Sequence, residues 1–247
     1  MARRDEILAH AAELLDLDAY PDYGPMGMQV LGSEDVTKVV AGVSASRELF
    51  ERAAAAGAQL VVVHHGIFWR NESPVVDRRM KGRLEALFAA DMTLAAYHLA
   101  LDAHLEIGNA ALLARELGIE VDGRFGEVGV GGRLREPASI ETLAARVREA
   151  VSREPLVFAH GPERVLRVAI LTGGGGRYLL DAARAGYDLF LTGEPEEPSR
   201  RDAREVGIHF VAAGHDATER LGIAALAERL AARFGLAWEF IDVPNPV

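Results

Sequence analysis

Continuous apolar runs alternate with apolar residues at helical spacing along this chain. Ile7, Leu8, Ala11, Ala12, Leu14 and Leu15 recur at the helical period, and Pro21, Gly24 and Pro25 end that helix before a loop over 25–32. The apolar run 36–43 reads as a buried strand. A helix over 46–56 stopped by Gly57 follows, then a strand over 59–63 leading into His64, which makes a β-α-β unit. The pattern continues with a helix over 82–90, a strand over 92–97, and a helix over 110–117 with Asn109 as its cap and Gly118 as its stop. Glycine then crowds 123–132, which predicts a lobe boundary or an irregular crossover.

Beyond the glycines the alternation restarts. Helices are predicted over 139–151, 177–185, 202–205 and 218–234, and strands over 156–158, 165–171, 187–191, 209–213 and 238–243. This alternation predicts an α/β fold with a mixed or largely parallel sheet in two lobes, 1–126 and 127–247. At 247 residues, with 49% hydrophobic and 26% charged residues, the chain is long enough to bury a sizeable core.

Charge narrows the partners. With 27 basic and 37 acidic residues the net charge is −10, and no dense run of lysine and arginine meets the eye, so nucleic-acid binding is disfavoured. Arg200, Arg201 and Arg204 read as a solvated helix face. The chain has no cysteine, so any metal must be held by nitrogen and oxygen. The first residues lack a signal peptide's apolar core, and no apolar run approaches the roughly 18 residues of a membrane span, which makes the cytoplasm the expected compartment.

Sites in open α/β sheets gather beyond the carboxyl ends of strands. His64, His65, Asp102 and His215 all follow predicted strands closely, and His98, His104 and His209 also fall near strand ends, whereas His10 and His160 do not. Adjacent residues of a strand point to opposite faces, so His64 and His65 share a site only if the chain turns, which Gly66 permits. His215 and Glu219, four apart, lie on one helix face as a chelating pair must, and a carboxylate such as Glu219 or Asp102 has two oxygens with which to bridge metals. Glu194 is another strand-end acid, suited to carrying a proton or supporting a ligand. The run 172–176, Thr-Gly-Gly-Gly-Gly, reads as either a phosphate nest or a tight turn allowing close approach of another backbone. The dinucleotide fingerprint fails where Tyr178 replaces its third glycine.

Taken together, V-V-V-H-H-G-I-F-W (61–69), Y-H-L-A-L-D-A-H (97–104), E-I-G-N-A-A-L-L-A-R-E-L-G (106–118), T-G-G-G-G (172–176), F-L-T-G-E (190–194) and A-A-G-H-D-A-T-E-R-L-G (212–222) resemble the Nif3-like family of dinuclear-metal proteins, in its YbgI-type branch often labelled GTP cyclohydrolase type 2 homologues. G-M-Q-V (27–30) and F-I-D-V-P-N-P (240–246) extend the resemblance essentially end to end. It implies a layered fold with the metal site between two lobes. The implied ligands of two ions are His64, His65, Asp102, His215 and Glu219, in a toroidal homohexamer. Near the helix after Thr192-Gly193-Glu194 the family often has a histidine where this chain has Arg201.

The leading expectation is a hydrolase in which two divalent ions (iron, zinc, manganese or nickel) acidify the attacking water, with His98 and Glu194 in supporting or proton-transfer roles; the sequence does not give the substrate, a small molecule for which a nucleotide-like compound is one candidate. A non-catalytic hexameric scaffold or metal carrier is the alternative. A third is a nucleotide-binding domain using the Gly173 to Gly176 loop.

Overall fold

A computed structural model describes residues 1–247. In chain order its elements are β1 (Ala2–Arg3), α1 (Arg4–Leu15), β2 (Gly27–Val30), β3 (Asp35–Val36), β4 (Lys38–Ser44), α2 (Arg47–Ala55), β5 (Leu60–His65), α3 (Arg78–Ala89), β6 (Thr93–Ala96), α4 (Leu99–Asp102) and α5 (Asn109–Glu116). They continue as β7 (Ile119–Phe125), β8 (Gly129–Ala138), α6 (Ile140–Val151), β9 (Leu156–Phe158), β10 (Val165–Leu171), α7 (Leu179–Arg184), β11 (Leu189–Thr192), α8 (Ser199–Val206), β12 (His209–Ala212), α9 (His215–Phe234) and β13 (Ala237–Phe240). No helix is long and apolar enough to cross a membrane.

The chain forms two compact units. The first comprises Met1–Leu101 and Gly222–Pro244, the second Asp102–Leu221 and Asn245–Val247. A sheet ordered β13-β4-β5-β6-β2 builds the first unit, parallel except for β2, which runs antiparallel to β6. Strands β4 and β5 read as unbroken Val/Ala/Leu runs because both of their faces are covered. Val40, Val61 and Val63 pack with Leu49, Phe50 and Ala53 of α2 and Leu87 of α3 in one buried cluster. Ser46 opens α2 by accepting the Leu49 amide, and Asp77 opens α3 by accepting that of Met80.

The second unit is a six-stranded mixed sheet ordered β7-β8-β10-β11-β12-β9, whose central strands β10, β11 and β12 are parallel. One buried cluster joins Leu113 of α5 and Leu143 and Val147 of α6 to Val168, Ile170, Leu191 and Val211. A second unites Phe190 and Phe210 with Leu179 and Ala203.

Several local expectations change. The glycine-rich stretch is an antiparallel hairpin of β7 and β8, paired from Ile119↔Leu134 to Phe125↔Gly129. Its glycines serve close packing: a Cβ on Gly131 would lie 1.8 Å from the Tyr187 hydroxyl, and one on Gly132 2.4 Å from the Glu120 carbonyl oxygen. A division at 126/127 would cut the loop of this hairpin, whereas the compact units part at Leu101/Asp102 and within α9, so Asp102 falls with His215 and Glu219. The loop expected over 25–32 contains β2, held by pairing to β6. Asp102 ends a short helix rather than a strand, and α9 begins at His215, three residues earlier than predicted.

Candidate metal centre

In the first unit, β5 ends on His64 and His65, and His98 follows the end of β6, its parallel neighbour. Their potential ligand atoms lie within 4.8 Å of one another. Ring centroids are 4.8 Å apart for His64 and His65, 5.0 Å for His64 and His98, and 5.5 Å for His65 and His98. Gly66 serves a different purpose from the turn expected of it. A Cβ there would stand 2.3 Å from Oε1 of Gln29, so its absence lets Gln29 reach in and accept the Ile67 amide at 2.7 Å, fixing the segment after the histidines.

Each of these rings is held through Nδ1. His64 lies with Nδ1 2.9 Å from the Tyr97 carbonyl oxygen, His65 2.9 Å from Oγ of Ser44, its register partner on β4, and His98 2.9 Å from Oδ1 of Asp22. A carbonyl or carboxylate oxygen only accepts, so Nδ1 of His64 and of His98 carries the hydrogen, and in the neutral ring Nε2 carries the lone pair. Burial alone would raise the Asp22 carboxyl. The His98 imidazole and the amides of Leu99 and Tyr23 outweigh it and hold Asp22 below the usual aspartate range. The Trp69 ring stands edge-on to His98 with centroids 5.3 Å apart.

In the second unit, the loops after β10, β11 and β12 converge. His215 opens α9 and Glu219 follows one turn later, with Nε2 of His215 3.3 Å from a Glu219 oxygen. A carboxylate oxygen of Asp102 lies within 4.8 Å of one of Glu219, and both residues are nearly sealed from solvent, at 6% and 3% exposed. Asn109 does not cap α5, whose N-cap is Gly108; its amide nitrogen instead donates to Oδ1 of Asp102 at 2.8 Å. Nδ1 of His215 donates to Oε1 of Glu194. Burial would lower the His215 imidazole, but the Glu219 carboxylate, and after it that of Glu194, push it up to about 9.

The glycine loop shapes this cluster of the second unit. Gly173 sits at φ +64°, and a Cβ there would lie 2.1 Å from Oε1 of Glu219 and 3.1 Å from Nε2 of His215. The amides of Gly173 and Gly175 are spent on the hydroxyls of Thr218 and Thr192, both at 3.1 Å, and the Gly173 carbonyl receives the amides of Gly193 and Glu194. At Gly173 and Gly175 the loop serves close packing, and these two amides are not left for a phosphate.

These donors fit a divalent ion: imidazole nitrogens and carboxylate oxygens clustered at the carboxyl ends of strands, their rings fixed from behind by oxygen acceptors, beside a glycine where a methyl group would intrude. His104 and His209 serve the backbone. Nδ1 of His104 accepts the amides of Glu106 and Ile107, while His209 accepts from Gly161 and donates to the Pro162 carbonyl. His10 packs edge-on to Phe234. Sequence reading missed Asp22, Ser44 and the backing role of Tyr97, for which no local signal exists because each acts on a residue brought near by folding, and it took Asn109 for a helix cap.

Known proteins resemble the chain along its whole length. It is 48% identical over 235 residues to the GTP cyclohydrolase 1 type 2 homolog of Escherichia coli (strain K12), covering 95% of each chain. It is 44% identical over 245 residues to the protein of that name from Pseudomonas aeruginosa, covering 97% of each. Among solved structures, protein ybgI, described as of unknown function, superposes with a TM-score of 0.96 at 46% identity, covering 99% of this chain and 100% of that one. TTHA1606 from Thermus thermophilus superposes at 0.92 with 37% identity, again over 99% and 100%. The model of the Duf34/NIF3 (NGG1p interacting factor 3) family matches residues 2–246, and the chain belongs to that family.

Proposed function

We propose that the chain holds two divalent cations and hydrolyses a small, nucleotide-like molecule. The observation that carries this reading is the backing of the imidazoles: His64, His65, His98 and His215 each have Nδ1 engaged by a protein oxygen, the arrangement that orients metal-ligating histidines. His64, His65, Asp102, His215 and Glu219 would hold the ions, with Glu219 the carboxylate that both can share. Iron, zinc, manganese and nickel all suit such donors. Divalent ions bound there supply Lewis acidity and lower the pKa of water.

The chain's own groups then have separable tasks. Glu194 fixes the ring of His215, and Asn109 fixes the carboxylate of Asp102. His98, whose ring Asp22 holds through Nδ1, would take and return a proton. The name borne by the relatives supports a nucleotide-like substrate. The family resemblance supports a homohexameric ring in the cytoplasm, which light scattering on the purified protein tests for assembly.

The test begins with elemental analysis of His64→Ala and Glu219→Ala, each expected to lose metal; full metal content in both would sink the assignment. Metal-loaded protein is then screened against nucleotides, cyclic amides and phosphoesters, with turnover expected to vanish in Asp102→Ala. Metal retention with no turnover across the panel favours the scaffold or carrier instead.

A further inference from the structure

The segment Arg78-Arg79-Met80-Lys81-Gly82-Arg83 opens α3 with four cations among its first six residues. Cations there oppose the positive end of the helix dipole, and the one carboxylate at that end is the N-cap Asp77. Arg47 of α2 joins them: its stem passes over Gly82, where a Cβ would stand in ordinary contact with Cδ of Arg47 at 3.4 Å. Arg47, Arg78, Arg79, Lys81 and Arg83, with the carboxylates of Asp77 and Glu85, line a cleft of about 740 Å³ on the first unit.

The ion pairs in this cluster are exposed and exchangeable. Arg47 binds Glu51, Arg79 binds Glu72, and Lys81 binds Glu85. Arg78 makes no ion pair, and Arg83 is half-buried without a hydrogen bond or an ion pair. Burial, and then the Arg79 charge, pull its guanidinium below the usual value. Oδ1 of Asp77 is engaged by the Met80 amide. A protein of net charge −10 thus keeps five cations around one recess; Arg78 and Arg83 have no ion-pair partner within 4 Å, although the Glu72 and Asp77 carboxylates act on Arg83 from farther off.

We propose that this cleft binds a small polyphosphate anion, separately from the candidate metal centre. Guanidinium groups recognise phosphate oxygens in pairs, and several spread around one opening match a chain of phosphates better than a single carboxylate. The volume lies within the range of small-ligand sites.

Calorimetric titration of the purified protein with inorganic tripolyphosphate tests this, with metal content measured before and after. The expected result is a Kd below roughly 1 mM that weakens as salt rises. Arg83→Gln should weaken it about tenfold, Arg78→Gln/Arg83→Gln further, and Arg83→Lys less, each with an unchanged melting temperature. Glu219→Ala should bind as the parent does, which separates this result from failure of the metal assignment. GTP binding tighter than tripolyphosphate would assign the cleft to nucleotides, and equal binding to the phosphate chain alone; both support the proposal. Absence of binding, or binding lost in Glu219→Ala but intact in the arginine variants, would overturn it.

Discussion

The main-chain carbonyl of Tyr97 accepts from Nδ1 of His64, so the last turn of the polypeptide before His98 decides which nitrogen of His64 can offer a lone pair. The expected tautomer has hydrogen on Nδ1 in His64 and likewise in His98, whose acceptor is Asp22. Nitrogen-15 NMR of the histidine rings near neutral pH reads this directly. Hydrogen on Nε2 of His64 would contradict the geometry.

Removing the groups behind the ligands should matter nearly as much as removing the ligands. Asn109→Ala deletes the 2.8 Å bond to the buried Asp102 carboxylate, and Glu194→Gln weakens the acceptor behind His215. Metal affinity is expected to fall about 10- to 100-fold in each, measured by competition with a chromogenic chelator.

Gly173 tolerates no side chain. Alanine there combines a left-handed backbone with a Cβ 2.1 Å from Oε1 of Glu219. A stability loss of about 1–2 kcal/mol from the backbone alone is expected. Metal content should drop as Glu219 is displaced, whereas Gly57→Ala, also at positive φ but with open space around it, should cost stability and leave metal unchanged.

The raised His215 imidazole has a pH signature. Its folded pKa of about 9 exceeds the ordinary 6.5, so in metal-free protein the stability it contributes is full below about 6.5 and is lost as pH rises through about 9. A metal must displace that proton. Affinity should therefore climb with pH up to about 9, and Glu194→Gln should shift the climb to lower pH. A flat affinity profile across that interval would refute the coupling.

Asp22 behaves oppositely. Its folded pKa is depressed, so the stability it contributes is present above the ordinary 3.8 and is lost as pH falls through the depressed value. Its side chain is only 2% exposed, and Asp22→Asn is expected to cost about 1–3 kcal/mol near neutral pH and to flatten acid unfolding, followed by denaturant titration at several pH values.

How much of this was legible in the sequence depends on distance along the chain. The β-α-β rhythm was, since buried parallel strands such as β4 and β5 write continuous apolar runs. The grouping of His64, His65 and His98 and the His215/Glu219 pair were too, because helix and strand periods place them, although the same rule also pointed to His104 and His209, which serve the backbone. Asp22 lies 76 residues from His98, and Ser44 lies 21 from His65; nothing near either marks its partner. The β7–β8 hairpin was misread because glycines that admit Tyr187 and the Glu120 carbonyl look, in sequence, like glycines that loosen a linker. The basic start of α3 went unread because Met80 and Gly82 interrupt its cations, so they do not form a run.

The late position of β13 has a consequence for biosynthesis. This strand pairs with β4, from Ala237↔Lys38 to Phe240↔Ala41, although some 200 residues separate them. Until β13 has emerged from the ribosome, β4 stands as an open edge whose Val39, Val40 and Ala41 are wholly covered in the finished fold. Nascent or C-terminally clipped protein therefore exposes a sticky β-margin, and holding it out of aggregates is a task for chaperones during synthesis.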